Sequence, residues 1–164
     1  MKGVDDGKEA DARAAATGSD EDLKIVPLLI GFFDANKQLR AASIERFGAD
    51  GNQIPDEEML SPSSQLKGAT EAIQGDAATY GRKDEPEPIR LKKVGADWKV
   101  DLSAIHDKRQ IETAMPKMQK VLAEVTADIR AGKYPQVTQA RDALRRKIFA
   151  VADEELRSPS ESHK

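Results

Sequence analysis

"IRLKKVGADWKVDLS", residues 89–103, decides the fold class, because it reads as two short strands around a turn. Gly95-Ala96-Asp97 supplies residues that tolerate the backbone geometry of a hairpin turn. A two-residue turn at Ala96-Asp97 sets Leu91 opposite Leu102 and gathers the apolar side chains on one face of the hairpin. A three-residue turn would instead set two cations of the first strand among those apolar residues. We therefore expect the two-residue turn.

Trp98 is the only tryptophan of a chain in which aromatic residues make up 4%. In the expected register Trp98 shares a face with Ile89 and Val100, while Lys92 faces Asp101 across the other surface. Aromatic side chains supply much of the apolar area of a small core. We therefore expect Trp98 to pack into the core, and stacking against a bound ligand is the alternative.

A second hairpin precedes this one in "QLKGATEAIQGDAATYGR", residues 65–82, where two short segments flank a turn at Gly75-Asp76. Two consecutive hairpins predict an antiparallel sheet of about four strands. Helical patterns lie before and after this sheet, so the sequence predicts the α+β class.

A long helix is expected before the sheet. The stretch "SDED", residues 19–22, is a helix-start signal, because a serine oxygen can accept an orphan backbone N–H and carboxylates favour the N-terminal end of the helix dipole. Gly48 fits the helix stop, and Pro27 fits only in the first turns. Gly31 predicts a kink or a close approach by another element. The expected apolar stripe consists of Val26, Leu29, Ile30, Phe33, Ala41, Ile44 and Phe47.

Two helices are expected after the sheet. From Asp107 the apolar residues recur at alternating spacings of four and three, which is typical of a helix packed on another helix. Pro116 predicts a kink, or a helix that starts at Met115-Pro116. "AGKYP", residues 131–135, leads to a second helix that ends near Leu156, so the two helices form an antiparallel hairpin. The packing residues are Ile111, Met115, Met118, Leu122, Val125 and Ile129, followed by Leu144, Ile148 and Val151.

The pattern divides the chain into four segments. Residues 1–18 are polar and are expected to form a flexible lead. Residues 19–105 form the α+β domain, which includes a loop over residues 48–64 with one short helical turn at "PDEEML". Residues 106–156 form the helical hairpin, and residues 157–164 form a disordered tail.

Composition limits the function classes. The chain has no cysteine, which excludes disulfides, thiolate metal sites and cysteine nucleophiles. Its formal net charge of −3 gives no general attraction to nucleic acid. The longest apolar run, residues 25–33, is shorter than the roughly 20 residues of a membrane-spanning helix. The first residues lack a secretory signal, so we expect a cytoplasmic protein or the processed part of an exported one.

No motif identifies a reaction or a metal site. Residues 50–58 resemble a calcium loop but lack its turn glycine in the required place. His106 and His163 are the only histidines, which excludes a histidine metal cluster, and His106 beside Asp107 fits a structural role at a helix entry better than a general base. The serines at positions 61–64 lack the glycine pattern of an esterase nucleophile. We expect no metal and no cofactor, and the catalytic residues stay unassigned.

The basic residues near the C-terminus predict a solvated helix face. They carry no interleaved aromatic residues, and an acidic residue accompanies them, so a nucleic-acid site is not indicated. This cluster consists of Arg141, Arg145, Arg146 and Lys147.

Three stretches together resemble the nuclear transport factor two-like superfamily. They are "LRAASIERFGADG" (residues 39–51) at the end of the first helix, "IQGDAATY" (residues 73–80) and "EPIRLKKVGADWKVDLSAI" (residues 87–105). The resemblance covers about residues 20 to 105 and implies a strongly curved sheet that packs on N-terminal helices to form a cone. The chain departs from the family by lacking a clear long helix before residue 19 and by adding two helices after the sheet.

The superfamily includes isomerases, dehydratases and many non-catalytic binding domains, so the resemblance alone gives no function. Some members are similar to ketosteroid isomerase and use an acidic base with a tyrosine-containing oxyanion hole. No residue here matches that motif by position, and Tyr80 is a candidate by chemistry only. We expect any ligand pocket to involve Tyr80, Trp98 and Phe33.

The first expected function is a non-catalytic domain that binds a ligand or another protein. A small isomerase or dehydratase with an apolar cone-shaped pocket is the alternative, and its mark would be a buried acid with a displaced pKa. A third is a structural protein in which Met115, Met118 and Leu122 hold a partner helix. The expected partners are a second copy, another protein or a small apolar ligand.

Overall fold

The structure is a computed structural model that describes residues 9–55, 69–81 and 88–157. Short 3-10 helices follow the first long helix and the last strand, at Gly48–Gln53 and Leu102–Ala104. The α-helices are α1 (Glu9–Ala14), α2 (Asp20–Leu23), α3 (Ile25–Phe47), α4 (Lys108–Arg130) and α5 (Val137–Arg157). The strands are β1 (Ala16–Thr17), β2 (Thr70–Gln74), β3 (Ala77–Gly81), β4 (Ile89–Val94) and β5 (Asp97–Asp101).

The sheet is curved and open, with the strand order β1-β5-β4-β3-β2. Strands β2 to β5 form two antiparallel hairpins, which confirms the predicted α+β class and both predicted hairpins. The sequence does not predict β1, which adds a fifth strand parallel to β5. This short strand is held by a backbone bond in which the Val100 N–H donates to the carbonyl of Ala15 at 2.9 Å.

The turn between β4 and β5 lies at Gly95-Ala96, so the expected turn at Ala96-Asp97 is wrong and the register differs by two residues. Leu91 lies opposite Val100 instead of Leu102. Gly95 has a φ of 65°, and a positive φ at the first of two turn residues is the geometry of a type II′ hairpin. Since a slip of two residues leaves every side chain on its face, the expected division into an apolar and a polar face stands.

The main core lies between helices α3, α4 and α5. Leu122, Val125 and Ile129 of α4 are fully buried, and they pack in one cluster with Leu39 of α3 and Leu144 of α5. The predicted packing residues and the predicted helical hairpin are therefore confirmed. Because this cluster contains residues on both sides of the expected boundary after residue 105, the helical hairpin shares its core with α3.

Helix α4 runs without interruption through Pro116, so the helix does not start there. Its N-cap is Asp107, in agreement with the expected onset. The helix ends at a turn in which Gly132 has a φ of 72°, a left-handed conformation that favours glycine.

A second, smaller cluster joins the sheet to the helices. Ile25 and Val26 at the start of α3 are buried together with Leu102, which directly follows β5. Val100 of β5 and Ile111 of α4 are half-buried against the same cluster. The sheet is thus attached to the helical part through β5 and β1.

Residues 9–17, which the sequence pattern assigns to a flexible lead, form α1 and β1. Ala12 is 2% exposed and Ala16 is 7% exposed, and both belong to the smaller cluster. The small side chains explain why a hydrophobicity pattern does not reveal this segment: alanine packs closely without producing a strong apolar period. Residues 1–8 and 158–164, and with them most of the expected tail, lie outside the described residues, as does the "PDEEML" turn after its proline.

The apolar stripe expected for α3 is correct in its first half and at Phe47, which packs against the main core. Val26 and Ile30 are buried as expected, but Ala41 and Ile44 are exposed. Leu39, Ala42 and Ser43 are the buried residues of the second half, beneath which the 3-10 helix Gly48–Gln53 packs. Helix α3 packs against other elements on more than one side. Its buried residues therefore do not follow the single helical period that the expectation assumes.

The predicted helix start at Ser19 is confirmed and carries an additional ion pair. The Asp22 N–H donates to the Ser19 hydroxyl at 3.2 Å, and the Ser19 N–H donates to the Asp22 carboxylate at 2.8 Å, which completes a capping box. Lys108 at the start of α4 donates to the other carboxylate oxygen of Asp22. The Lys108 bond, helped by the two bonds with Ser19, lowers the pKa of Asp22 from 3.8 to about 2.

Asp22→Asn is expected to lower the melting temperature at neutral pH and to have no effect at about pH 2. The folded state holds the Asp22 pKa at about 2 against 3.8 for the unconstrained group, so ionisation stabilises the fold above pH 4 and this stabilisation disappears as the pH falls towards 2. Melting curves of both proteins across this range measure the difference. Asp20→Asn, at an exposed position in the same turn, is the control, and an equal pH dependence for the two variants would contradict the assignment.

Candidate interaction surface on the sheet

One row of apolar side chains crosses one face of the sheet from edge to edge, and the same face also carries Glu71 on β2 and Lys93 on β4. The register places one row of residues side by side across all five strands, and these side chains point to the same face because paired residues in a sheet share a side. A second row contains Tyr80 opposite Ile89, and a third contains Lys93 opposite Trp98. The first row consists of Ile73, Ala78, Leu91, Val100 and Ala16. We call this side of the sheet the apolar face.

Burial along the apolar face is uneven: Ala78 of β3 is 2% exposed, Leu91 of β4 is half-buried, and the exposed apolar side chains lie at the far edge and near the β4–β5 turn. Ala16 is buried and Val100 is half-buried where the face meets the smaller cluster. At the far edge Ile73 is 56% exposed, and near the β4–β5 turn Trp98 is 39% exposed. The expectation that Trp98 packs into the core is therefore wrong: its side chain lies on the apolar face, but none of the described helices covers it fully.

The described helices do not cover the β2 edge and the β4–β5 turn of the sheet, because most of their apolar residues are buried against one another. The buried residues of the main core come from α3, α4, α5 and Ile54, and among the described residues no strand contributes to it. Only the end of the sheet near Leu102 reaches the helices, through the smaller cluster. Within the described ranges, the Ile73 and Trp98 side chains of the apolar face are consequently open to contact with another molecule.

Tyr80 lies on the apolar face and is half-buried. The carboxylate nearest to it in the register is Glu71, directly opposite on β2, and Glu71 is exposed. An acid that works as in an isomerase would need to be enclosed by apolar groups. Glu71 at the sheet edge is not enclosed.

Phe33 belongs to the core and not to the sheet surface. It is half-buried at the junction of the main core and the smaller cluster. Its ring packs edge-to-face on Phe32, with ring centroids 5.7 Å apart and an angle of 70° between the planes. Of the three expected pocket residues, Tyr80 and Trp98 thus share the apolar face, while Phe33 packs between the helices and the base of the sheet.

The opposite, polar face of the sheet carries a pair of lysines. Lys92 and Lys99 lie directly across from each other on β4 and β5, and Arg90 lies on the same face of β4. The expected partner of Lys92, Asp101, lies two residues further along β5. Like charges in direct opposition destabilise a strand pair, so this face tolerates the shifted register at a small cost.

The carboxyl groups with a displaced pKa all serve as ion-pair partners within the described part of the chain. The Lys108 bond lowers the pKa of Asp22, the Lys147 bond lowers that of Glu124, and the Lys133 bond lowers that of Asp128. A lowered pKa keeps a carboxylate ionised and makes it a poor proton donor or acceptor near neutral pH. None of these three groups lies on the apolar face.

Residues 9–55, 69–81 and 88–157 contain no group of three or more His, Asp or Glu side chains placed to hold a metal ion. In the segment that resembles a calcium loop, Asn52 donates to the Ala49 carbonyl at 3.1 Å and Ile54 is fully buried. Glu58 lies outside the described residues. His106 is exposed and directly precedes the N-cap of α4.

The basic cluster of α5 is engaged with its own fold. Lys147 donates to the Glu124 carboxylate at 2.6 Å, which links α5 to α4. The Arg141 Nε atom is buried and has no hydrogen-bond partner. The expected solvated helix face is therefore correct for the exposed Arg146, whereas Arg141, Arg145 and Lys147 are half-buried.

Comparison with known proteins gives no match: no protein-family model matches the sequence, and no curated protein or solved structure matches the chain. Every helix in the described ranges is too short or too polar to span a lipid bilayer. The geometry of the sheet is therefore the observation that bears on function.

Proposed function

We propose that this protein is a non-catalytic protein-interaction module whose docking surface is the apolar face of the sheet. The exposed side chain of Trp98 carries the proposal. Tryptophan is among the residues most enriched where protein interfaces are tightest, because one side chain offers a large apolar area and an N–H donor. Ile73 on β2 is the second large apolar side chain that is exposed on this face.

The helices and the outer strands have separate roles in the fold, and this supports the proposal. Helices α3, α4 and α5 form a closed core that stabilises the fold without help from the outer strands. The sheet is anchored at β5 and β1, and its remaining strands extend the apolar face outwards. A rigid scaffold that presents a partly uncovered apolar surface is what a docking module requires.

An isomerase or dehydratase is the second candidate function, and Tyr80 is the observation that favours it. Its half-buried position among Ile89 and other apolar residues suits a phenol that donates a hydrogen bond to a small apolar ligand. The neighbouring Glu71 is exposed, and among the described residues no buried acid lies on the apolar face beside Tyr80.

We also propose membership of the nuclear transport factor two-like superfamily, on the basis of the motifs and the fold order. A long helix followed by a curved meander of two hairpins supports it. The additional parallel strand β1 and the dominant core between α3, α4 and α5 are features that a member of this family would have acquired separately.

Trp98→Ser is expected to abolish recovery of a partner protein, whereas Lys92→Ser is expected to leave it unchanged. The two positions lie on neighbouring strands and on opposite faces of the sheet, and both are exposed. Loss of a buried aromatic anchor typically costs about 2 kcal/mol or more of binding free energy, roughly a thirtyfold loss of affinity. Affinity purification of the tagged variants from native cells, with quantification of each co-purified chain, measures the effect.

The fold itself should tolerate the Trp98 change, with a loss of about 1 kcal/mol in the free energy of unfolding, because the side chain is partly exposed. A melting curve separates lost binding from lost folding. Equal recovery of the same partner by both variants would show that the apolar face is not the docking surface.

A further inference from the structure

The two edges of the sheet differ in their protection. At one edge β1 consists of two residues, and Ala16 is buried in the smaller cluster. Among the described strands, β2 lies at the other edge, and its five residues are all exposed. Natural sheets protect an exposed edge with charged side chains, above all lysine, or with proline, a bulge or a very short strand. The β2 sequence, Thr-Glu-Ala-Ile-Gln, contains one charged residue, Glu71, and no lysine or proline.

The geometry of the β2–β3 hairpin determines which backbone groups β2 offers to a new strand. Gln74 and Ala77 flank a two-residue turn, and such a flanking pair exchanges both of its backbone hydrogen bonds. Hydrogen-bonded and non-hydrogen-bonded pairs then alternate along the hairpin. The N–H and carbonyl groups of Glu71 and Ile73 therefore point away from β3, towards the open edge.

This pattern permits an antiparallel pairing of β2 with β2 of a second copy. With a two-fold axis at Ala72, Glu71 of each copy lies opposite Ile73 of the other, and all five residues of each strand are paired. Both outward-pointing residues then form hydrogen-bonded pairs, as the alternation requires. An axis at Glu71 would oppose two carboxylates, and an axis at Ile73 would pair only part of each strand.

We propose that a second copy of this chain docks on the β2 edge through this pairing, centred on Ala72. The inference rests on the proposed function, because the pairing joins the apolar faces of two copies into one continuous docking surface. A two-fold axis perpendicular to the sheet keeps both apolar faces on the same side. The contact is small, so the dimer forms in a concentration-dependent equilibrium.

A single introduced cysteine tests the pairing directly, since the chain has none of its own. Two Ala72 residues would form a non-hydrogen-bonded pair with Cα atoms about 4.5 Å apart, which is within the range of a disulfide. Ala72→Cys is expected to form a disulfide-linked dimer at least about tenfold faster than Ala96→Cys under mild oxidation, because pairing raises the effective thiol concentration. Ala96 is also an exposed alanine and lies in the β4–β5 turn.

Two charge variants then test the register in the Ala72→Cys background. Ile73→Glu sets two carboxylates opposite each other at two symmetric positions, whereas Ile73→Lys sets a cation opposite Glu71. We expect the glutamate variant to cross-link at least about fivefold more slowly than the lysine variant. Both changes remove the same apolar side chain. A difference between their cross-linking rates therefore reports the register and not non-specific association.

The proposed pairing is overturned if the Ala72→Cys variant cross-links no faster than the Ala96→Cys variant, or if the two charge variants behave alike. An extended peptide of another protein would then be the remaining occupant of the β2 edge. The partner recovery that depends on Trp98 would be unaffected by that outcome, since Trp98 lies on β5, three strands from β2. Loss of that recovery with intact cross-linking would instead refute the proposed function and leave the dimer in place.

Discussion

Leu122→Ala is expected to lower the free energy of unfolding by about 3–5 kcal/mol. Leu122 is 0% exposed and lies at the centre of α4, where it packs in the cluster that α3 and α5 complete. Three helices fix the surroundings, so the cavity cannot collapse easily. Urea unfolding followed by far-ultraviolet circular dichroism measures the loss as a shift of the midpoint.

Leu91→Ala is the matched control, because it removes the same atoms from a half-buried position in the sheet. Its expected cost is about half as large or less, in proportion to the apolar area that is buried. Equal costs at the two positions would mean that the sheet belongs to the same core as the helices. The claim that the apolar face stands outside that core would then fail.

Gly51→Ala is expected to destabilise the protein by about 2–3 kcal/mol. A Cβ atom on Gly51 would lie 2.2 Å from the Ser43 carbonyl oxygen and 2.3 Å from its carbonyl carbon. These are backbone atoms of α3, which cannot rotate away as the end of a side chain could. The 3-10 helix that contains Gly51 would have to separate from α3, and thermal unfolding should show this as a lower melting temperature.

Gly75→Ala separates this steric cost from the conformational cost of replacing a glycine. Gly75 has a φ of 62°, but nothing lies within 4 Å of the position that its Cβ would take. The expected cost is therefore only the roughly 1–2 kcal/mol of a left-handed alanine. A larger loss at Gly75 than at Gly51 would contradict the close packing of the 3-10 helix on α3.

Local signals in the sequence predict the hairpins, the start of α2 at Ser19 and the packing residues of α4 and α5. The register of the β4–β5 hairpin is not predicted, because alternation determines the face of each residue but not its partner. A slip of two residues changes every pair and leaves both faces the same. The glycine position contains the missing information: in both hairpins the first turn residue, Gly75 or Gly95, has a positive φ.

Exposure of the candidate site is the second point that the sequence does not reveal. An apolar pattern predicts that Trp98 shares a face with other apolar residues, which is correct, but it does not reveal what covers that face. The helices that could have covered it bury their own apolar residues against each other. The long-range choice between helix–helix and helix–sheet packing has no local signature in the sequence.

At Gly31 the sequence predicts the type of contact but not the residue that makes it. The sequence predicts a kink or a close approach at this glycine, and the structure shows an approach by Gln119 of α4. The Gln119 side-chain amide donates to the Leu28 carbonyl of α3 at 2.8 Å. This bond helps to fix α4 on α3, and the identity of the approaching residue depends on the packing of two helices that are distant in sequence.

Native mass spectrometry of the purified protein separates an interaction module from a protein that binds a small molecule, because one spectrum reports both the number of subunits and any bound small molecule. We expect the bare mass of the chain at low concentration and a dimer that grows with concentration, with no additional mass on either species. An additional mass that disappears on denaturation and weakens in Tyr80→Phe would contradict the proposed interaction module. The apolar face would then hold a small molecule, either as a non-catalytic ligand-binding domain or as an isomerase or dehydratase.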